Sequence, residues 1–159
     1  MMDLPVFFSL LNYATVLFFG VTASLSLADI PVREHWPIYL KSYLAFGVVQ
    51  ILFYLLLGEN ALYKCYPLLI HLPLVLLIHF MLKKNIFMSL IAVLSAYSLC
   101  TPRKWIGTLV SSFWNYDPTI ANVVSTIATF PLLFLVVRYM TPHIVKLKQE
   151  NRTTLTLLL

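Results

Sequence analysis

Acidic residues are scarce in this chain: six Asp and Glu against eleven Lys and Arg in 159 residues, with charged residues at 11% and apolar ones at 60%. A soluble domain carries about a quarter charged residues, so this balance excludes an ordinary soluble fold. The acidic residues fall in loops and at segment ends, which argues against an ion-coupled transporter built on intramembrane carboxylates. Motifs of the GxSxG, HExxH and P-loop types are missing, and no apolar run holds paired carboxylates, so no catalytic residue or cofactor is expected. Cysteine is limited to two and glycine to four. No Cys or His cluster has metal-ligand spacing, and no metal is expected.

What is present is a series of long apolar runs, near 4–28, 38–57, 65–82, 86–101 and 119–137. They lack the polar–apolar alternation of barrel strands and are too long for them. The expected fold is therefore all-α, a polytopic membrane protein of about five transmembrane helices. Residues 1–142 would form the bundle. Residues 143–159 would form a cytoplasmic tail or the start of a further span. The lipid bilayer is then the main partner. The net charge of +5 needs no nucleic acid, because basic residues gather at the cytoplasmic face of such proteins.

Asp3 and Pro5 suit a helix start for the first segment, Leu4 to about Ala28. Ser26-Leu-Ala28 resembles a signal-peptide cleavage site, but no Lys or Arg precedes the run and its length exceeds a usual signal core. Ser9, Asn12, Thr15 and Thr22 on this segment are expected to face neighbouring helices. Pro37 opens segment two, which stops at Gly58. Segment three, about Tyr63 to Leu82, contains Pro73, a kink site. Lys83-Lys84-Asn85 turns the chain into segment four. Asp117-Pro118 caps segment five, which runs to about Met140 with a second kink at Pro131.

Thr101-Pro102 has the form of an N-cap followed by a first helical residue, so segment four is expected to stop there. A separate short helix at 102–114 would follow, lying in the interface. Its apolar residues fall at 105, 106, 109, 110, 113 and 114, one stripe at helical spacing on a piece too short to cross a bilayer. Arg103, Lys104 and Trp105 at its start form a candidate ligand-binding group for an anion such as a lipid phosphate or a peptide carboxylate. Snorkelling of both basic side chains to the headgroups is the plainer reading.

Cys65 and Cys100 both fall near the outer ends of spans. A disulfide is geometrically conceivable there, but helical cysteines more often act as small packing residues. His71 and His79 are intramembrane polar residues eight positions apart, for which hydrogen-bonded packing outweighs proton relay. If there are five spans, Arg33, Lys41, Lys83, Lys84, Arg138, Lys146, Lys148 and Arg152 share one side, against Lys64, Arg103 and Lys104 on the other. That places the N-terminus outside and the C-terminus in the cytoplasm of a multi-pass cell-membrane protein.

The stretch from Cys65 to Leu74, the Lys83-Lys84 turn, and the stretch from Ala96 to Gly107 (Ala-Tyr-Ser-Leu-Cys-Thr-Pro-Arg-Lys-Trp-Ile-Gly) together resemble the membrane input region of Gram-positive GHKL-type sensor histidine kinases. The resemblance covers most of the chain from about residue 35 onward. It implies a signal-input region for two-component signalling, truncated before the kinase domain, with an extracellular or intramembrane ligand and a homodimeric assembly. Any kinase activity would lie outside these residues. The alternative reading is a small multi-pass subunit of a transporter or membrane assembly.

Overall fold

The computed structural model describes residues 4–144 and 146. Helix α1 spans Leu4–Leu27 and α2 Val32–Tyr66, the latter continuing through a π-helical turn (Pro67–His71), α3 (Leu72–Leu76) and a second π-helical turn to Met81. Helix α4 spans Ile86–Ser111 and ends in a 3-10 turn at Trp114. Helix α5 spans Pro118–Leu135, followed by a π-helical turn, Val136–Met140. The described residues are all-helical, with no strand among them.

Among the described residues, four helical stretches are long and apolar enough to cross a membrane: Leu4–Leu27, Val32–Met81, Ile86–Trp114 and Pro118–Ile144. The second has 50 residues, which at helical rise would reach about 75 Å, more than twice a bilayer's hydrocarbon thickness. Gly58 interrupts it, with φ +80 and ψ 175. That backbone region is open essentially to glycine alone. Before the break, Tyr39 donates to the Ile30 carbonyl at 2.6 Å and Tyr43 to the Ala14 carbonyl at 3.5 Å. Just after it, Glu59 accepts from Ser9 at 2.9 Å. Further on, Lys84 reaches the Asp29 carbonyl at 3.2 Å. The chain thus follows α1 from its C-terminal end towards its N-terminal end, reverses at Gly58, and returns.

Helix α1 is the inner element. Residues 23–28 are all buried, and Leu17, Phe19 and Val21 are fully enclosed. Helix α2 is the opposite case: Leu44, Val48, Leu52, Leu55 and Leu56 lie on the outside, Leu56 at 79% exposure. Large apolar side chains facing outward, with Ser and Thr among the buried groups, is an arrangement that suits hydrocarbon surroundings.

Local punctuation behaves as its chemistry requires at two helix starts. The Asn85 side chain accepts from Phe87 N at 2.9 Å. The Asp117 carboxylate accepts from Thr119 N and Ile120 N, with Pro118 in the first turn. At Pro102 the expectation fails. Helix α4 continues through Pro102 without a break, and no separate 102–114 helix exists. Thr101 is no cap: its hydroxyl donates back to the Tyr97 carbonyl at 3.4 Å. Packing explains the continuity. The buried positions Ala96, Cys100, Arg103, Gly107 and Ser111 form one uninterrupted stripe at helical spacing on either side of Pro102.

Pro73 and Pro131 also sit inside helical stretches, with π-helical turns close by. In the turn after Pro131, the Val136 carbonyl accepts from both the Thr141 backbone N–H and the Thr141 hydroxyl, the latter at 3.1 Å. Helical structure runs past Thr141-Pro142 to Ile144. The remainder of the 143–159 tail lies outside the described residues, except for Lys146.

Candidate functional site: a buried arginine beside a cationic cavity

Gly107 sets the geometry of the site. A Cβ at this position would meet the Ser125 hydroxyl and the Ala121 carbonyl of α5. Only glycine lets the two helices come this close. One turn earlier on the same stripe, Arg103 is directed into the bundle and is only 5% exposed. Its Nη1 donates to Asn12 Oδ1 of α1 at 2.8 Å, to Thr129 Oγ1 of α5 at 3.1 Å and to the Ser125 carbonyl at 3.5 Å. Asn12 Nδ2 in turn donates to Asn122 Oδ1 at 2.9 Å, and the Thr129 hydroxyl donates to the Ser125 carbonyl at 2.8 Å. Three helices therefore meet on one guanidinium.

Every oxygen acceptor in this network is neutral. The hydrogen bonds to oxygen all leave from Nη1, and the Cys100 thiol one turn earlier on α4 is a further side-chain hydrogen-bond partner of the guanidinium. A buried guanidinium without a carboxylate partner is costly. Arg103 lines a cavity of ≈ 640 Å³ between α1, the chain after Gly58, α4 and α5. Lys64 and Lys104 line it too, against one carboxylate, Glu59. Glu59 is engaged by Ser9, and the Lys104 ammonium stands 5.5 Å from the centre of the Tyr63 ring. Tyr13, Tyr66 and Tyr97 supply the remaining bulk of the wall.

Of the three residues singled out in sequence, Arg103 and Lys104 line this cavity, whereas Trp105 points away at 71% exposure. Arg103 does not lie at the interface, because α4 continues through Pro102 and its inner stripe carries position 103 into the bundle. Asn12 faces a neighbouring helix as its place on α1 suggests. Glu59, Asn122, Ser125 and Thr129 escaped sequence reasoning, and Lys64 entered it only as an outer-side charge. Asn122, Ser125 and Thr129 fall at helical spacing within an apolar segment, a signal for an inward polar face.

Cys100 is buried at the cavity wall, Cys65 is partly buried, and both are free thiols rather than a disulfide. His71 packs edge-on between Tyr66 and Tyr97, with ring centres 5.3 and 4.7 Å away. His79 Nδ1 donates to the Lys84 carbonyl at 2.8 Å, tying the end of its helix to the following turn. The two histidines do not meet the Arg103 network. No His, Cys, Asp and Glu grouping fit for a metal ion occurs among the described residues. No protein-family model, curated protein or solved structure matches this chain.

Proposed function

We propose that this chain is a membrane-embedded signal-input module that receives its cue in the cavity beside Arg103. The observation that carries the reading is a buried guanidinium held by neutral oxygens of α1 and α5, with no carboxylate partner, at the wall of a cavity that Lys64 and Lys104 make net positive. An anion bound there would draw on Arg103 and change the balance of hydrogen bonds that joins α1, α4 and α5. Helix α5 leads directly towards the C-terminal segment, so such a change has a path to whatever follows. The resemblance to the input region of GHKL-type histidine kinases gives that output a concrete form, a kinase domain carried beyond residue 159.

In this reading the chain crosses the bilayer five times, since Gly58 divides Val32–Met81 into two antiparallel crossings. The N-terminus is outside and the tail is cytoplasmic. A chimera carrying this chain ahead of a GHKL kinase domain tests the proposal in membrane vesicles. Arg103→Gln should change autophosphorylation while membrane insertion stays constant. Identical phosphorylation in the parent and the variant, with equal insertion, rejects an input role for the cavity.

A further inference from the structure

A buried hydroxyl in a helical bundle needs a hydrogen-bond partner. Ser24 of α1 is 1% exposed, and its Oγ has no such partner among the described residues. The residue lines a crevice of ≈ 20 Å³ between α1, the chain around His71, and α4. About 10–15 Å³ is what a void needs to take one water, so this crevice suits a single molecule of that size. Leu74 and Val93 make part of its wall apolar, while His71 brings a second polar group. The contacts of His71 with Tyr66 and Tyr97 are ring against ring, and a neutral imidazole also carries one donor and one acceptor.

We infer that the crevice is a binding site for one water molecule, which bridges the Ser24 hydroxyl of α1 to the His71 imidazole on the π-helical turn. A polar group without a partner in an apolar interior is costly, and a shared water removes that cost for both groups at once. Water donates and accepts, so it serves either tautomer of the imidazole and any rotamer of the serine. Tyr66, Tyr97 and Cys100 line both this crevice and the large cationic chamber. Water therefore arrives from the chamber rather than through hydrocarbon. The competing arrangement is a serine that donates to a carbonyl of its own helix, four residues back. His71 then has no share in the bond, and the two residues are independent. The bridge ties α1 to the turn Pro67–His71 whether or not the chamber receives a cue.

The full chain, carrying isotope-labelled histidine, is placed in lipid bilayers, and solid-state NMR follows magnetisation passed from water protons to the imidazole nitrogens. His71→Phe, which keeps a ring between the tyrosines, identifies the His71 signal by its loss. In the parent chain His71 should receive water magnetisation. Ser24→Val removes the hydroxyl and fills the void, so most of that transfer should disappear while the signals of His35 and His79 stay as they are. Should Ser24→Val fail to fold, thermal midpoints of Ser24→Ala, His71→Phe and the double variant in one detergent decide instead. With a shared water, the double variant should lose less than the sum of the single losses by about 2 °C or more, as groups in one network do. Absence of transfer to His71 in the parent, undiminished transfer in folded Ser24→Val, or single losses that simply add overturns the bridge and leaves Ser24 bonded to its own helix.

Discussion

Arg103 and Asn12 are matched to each other by hydrogen-bond valence. The guanidinium can only donate, so Asn12 must turn its oxygen towards it, and its amide nitrogen is then free for Asn122. Asn12→Leu would remove the shortest bond to a buried charge and strand Asn122 Oδ1 as well. The expected loss is about 1–3 kcal/mol, near the range for buried donors to charged groups. Denaturant titration of the helical signal in micelles measures it. Asn12→Asp should recover most of that loss, because a carboxylate restores the acceptor and the Asn122 amide can rotate to donate. If Asn12→Asp is as destabilised as Asn12→Leu, the contact is one of shape rather than charge. The importance of Arg103 was legible in sequence as a basic residue in an unusual place, but its direction was not. A side chain's direction depends on whether the helix continues through Pro102, which is decided by the packing of positions further along.

Helix α4 makes the same point for a whole element. Thr101-Pro102 is a sound local start signal, and 105, 106, 109, 110, 113 and 114 are a sound apolar stripe. Yet Trp105, Ile106, Leu109, Phe113 and Trp114 are on the outside, while Ser89, Ala92, Ala96, Gly107 and Ser111 are inside. In water the large apolar stripe would mark the core; against hydrocarbon it gains nothing by burial, and small residues mark the contact instead. Reading the small-residue stripe across Pro102 would have found the continuous helix. The cap at Asp117 was legible because it depends on atoms within three residues. Two glycines test the account. Gly107→Val should be destabilised by about 1–3 kcal/mol, the usual range for overpacking, since its side chain would push against α5. Gly20→Ala should be neutral or gain up to about 1 kcal/mol from helix propensity, because its methyl meets open space. Thermal unfolding of both variants in one detergent decides; equal midpoints would refute the close approach at Gly107.

At the scale of the molecule, the buried arginine changes how the charges at the two ends are read. Arg103 is held in the bundle, so it does not count as a loop charge. Lys64 and Lys104 are then the basic residues left at that end, and both line the cavity. The apparent exception to the positive-inside trend is thus a set of residues gathered at one site, and the proposed orientation is easier to hold. The opposite end carries Arg33, Lys83, Lys84 and Arg138, near the turn where Lys84 meets Asp29. The decisive question is whether the chain reverses at Gly58. If it does, positions 34 and 83 lie on the same side; if Val32–Met81 crosses once, they lie on opposite sides. Single cysteines at Glu34, Lys83 and Tyr116, placed in a Cys65→Ser, Cys100→Ala background, separate these cases. With an impermeant maleimide on intact cells, Tyr116→Cys should react, whereas Glu34→Cys and Lys83→Cys should react only after permeabilisation. Reaction of Glu34→Cys and Lys83→Cys from opposite faces would reject the reversal and the five crossings with it. Reaction of both from outside, with Tyr116→Cys protected, would keep the crossings and invert the orientation, placing the mouth of the cationic chamber on the cytoplasmic side.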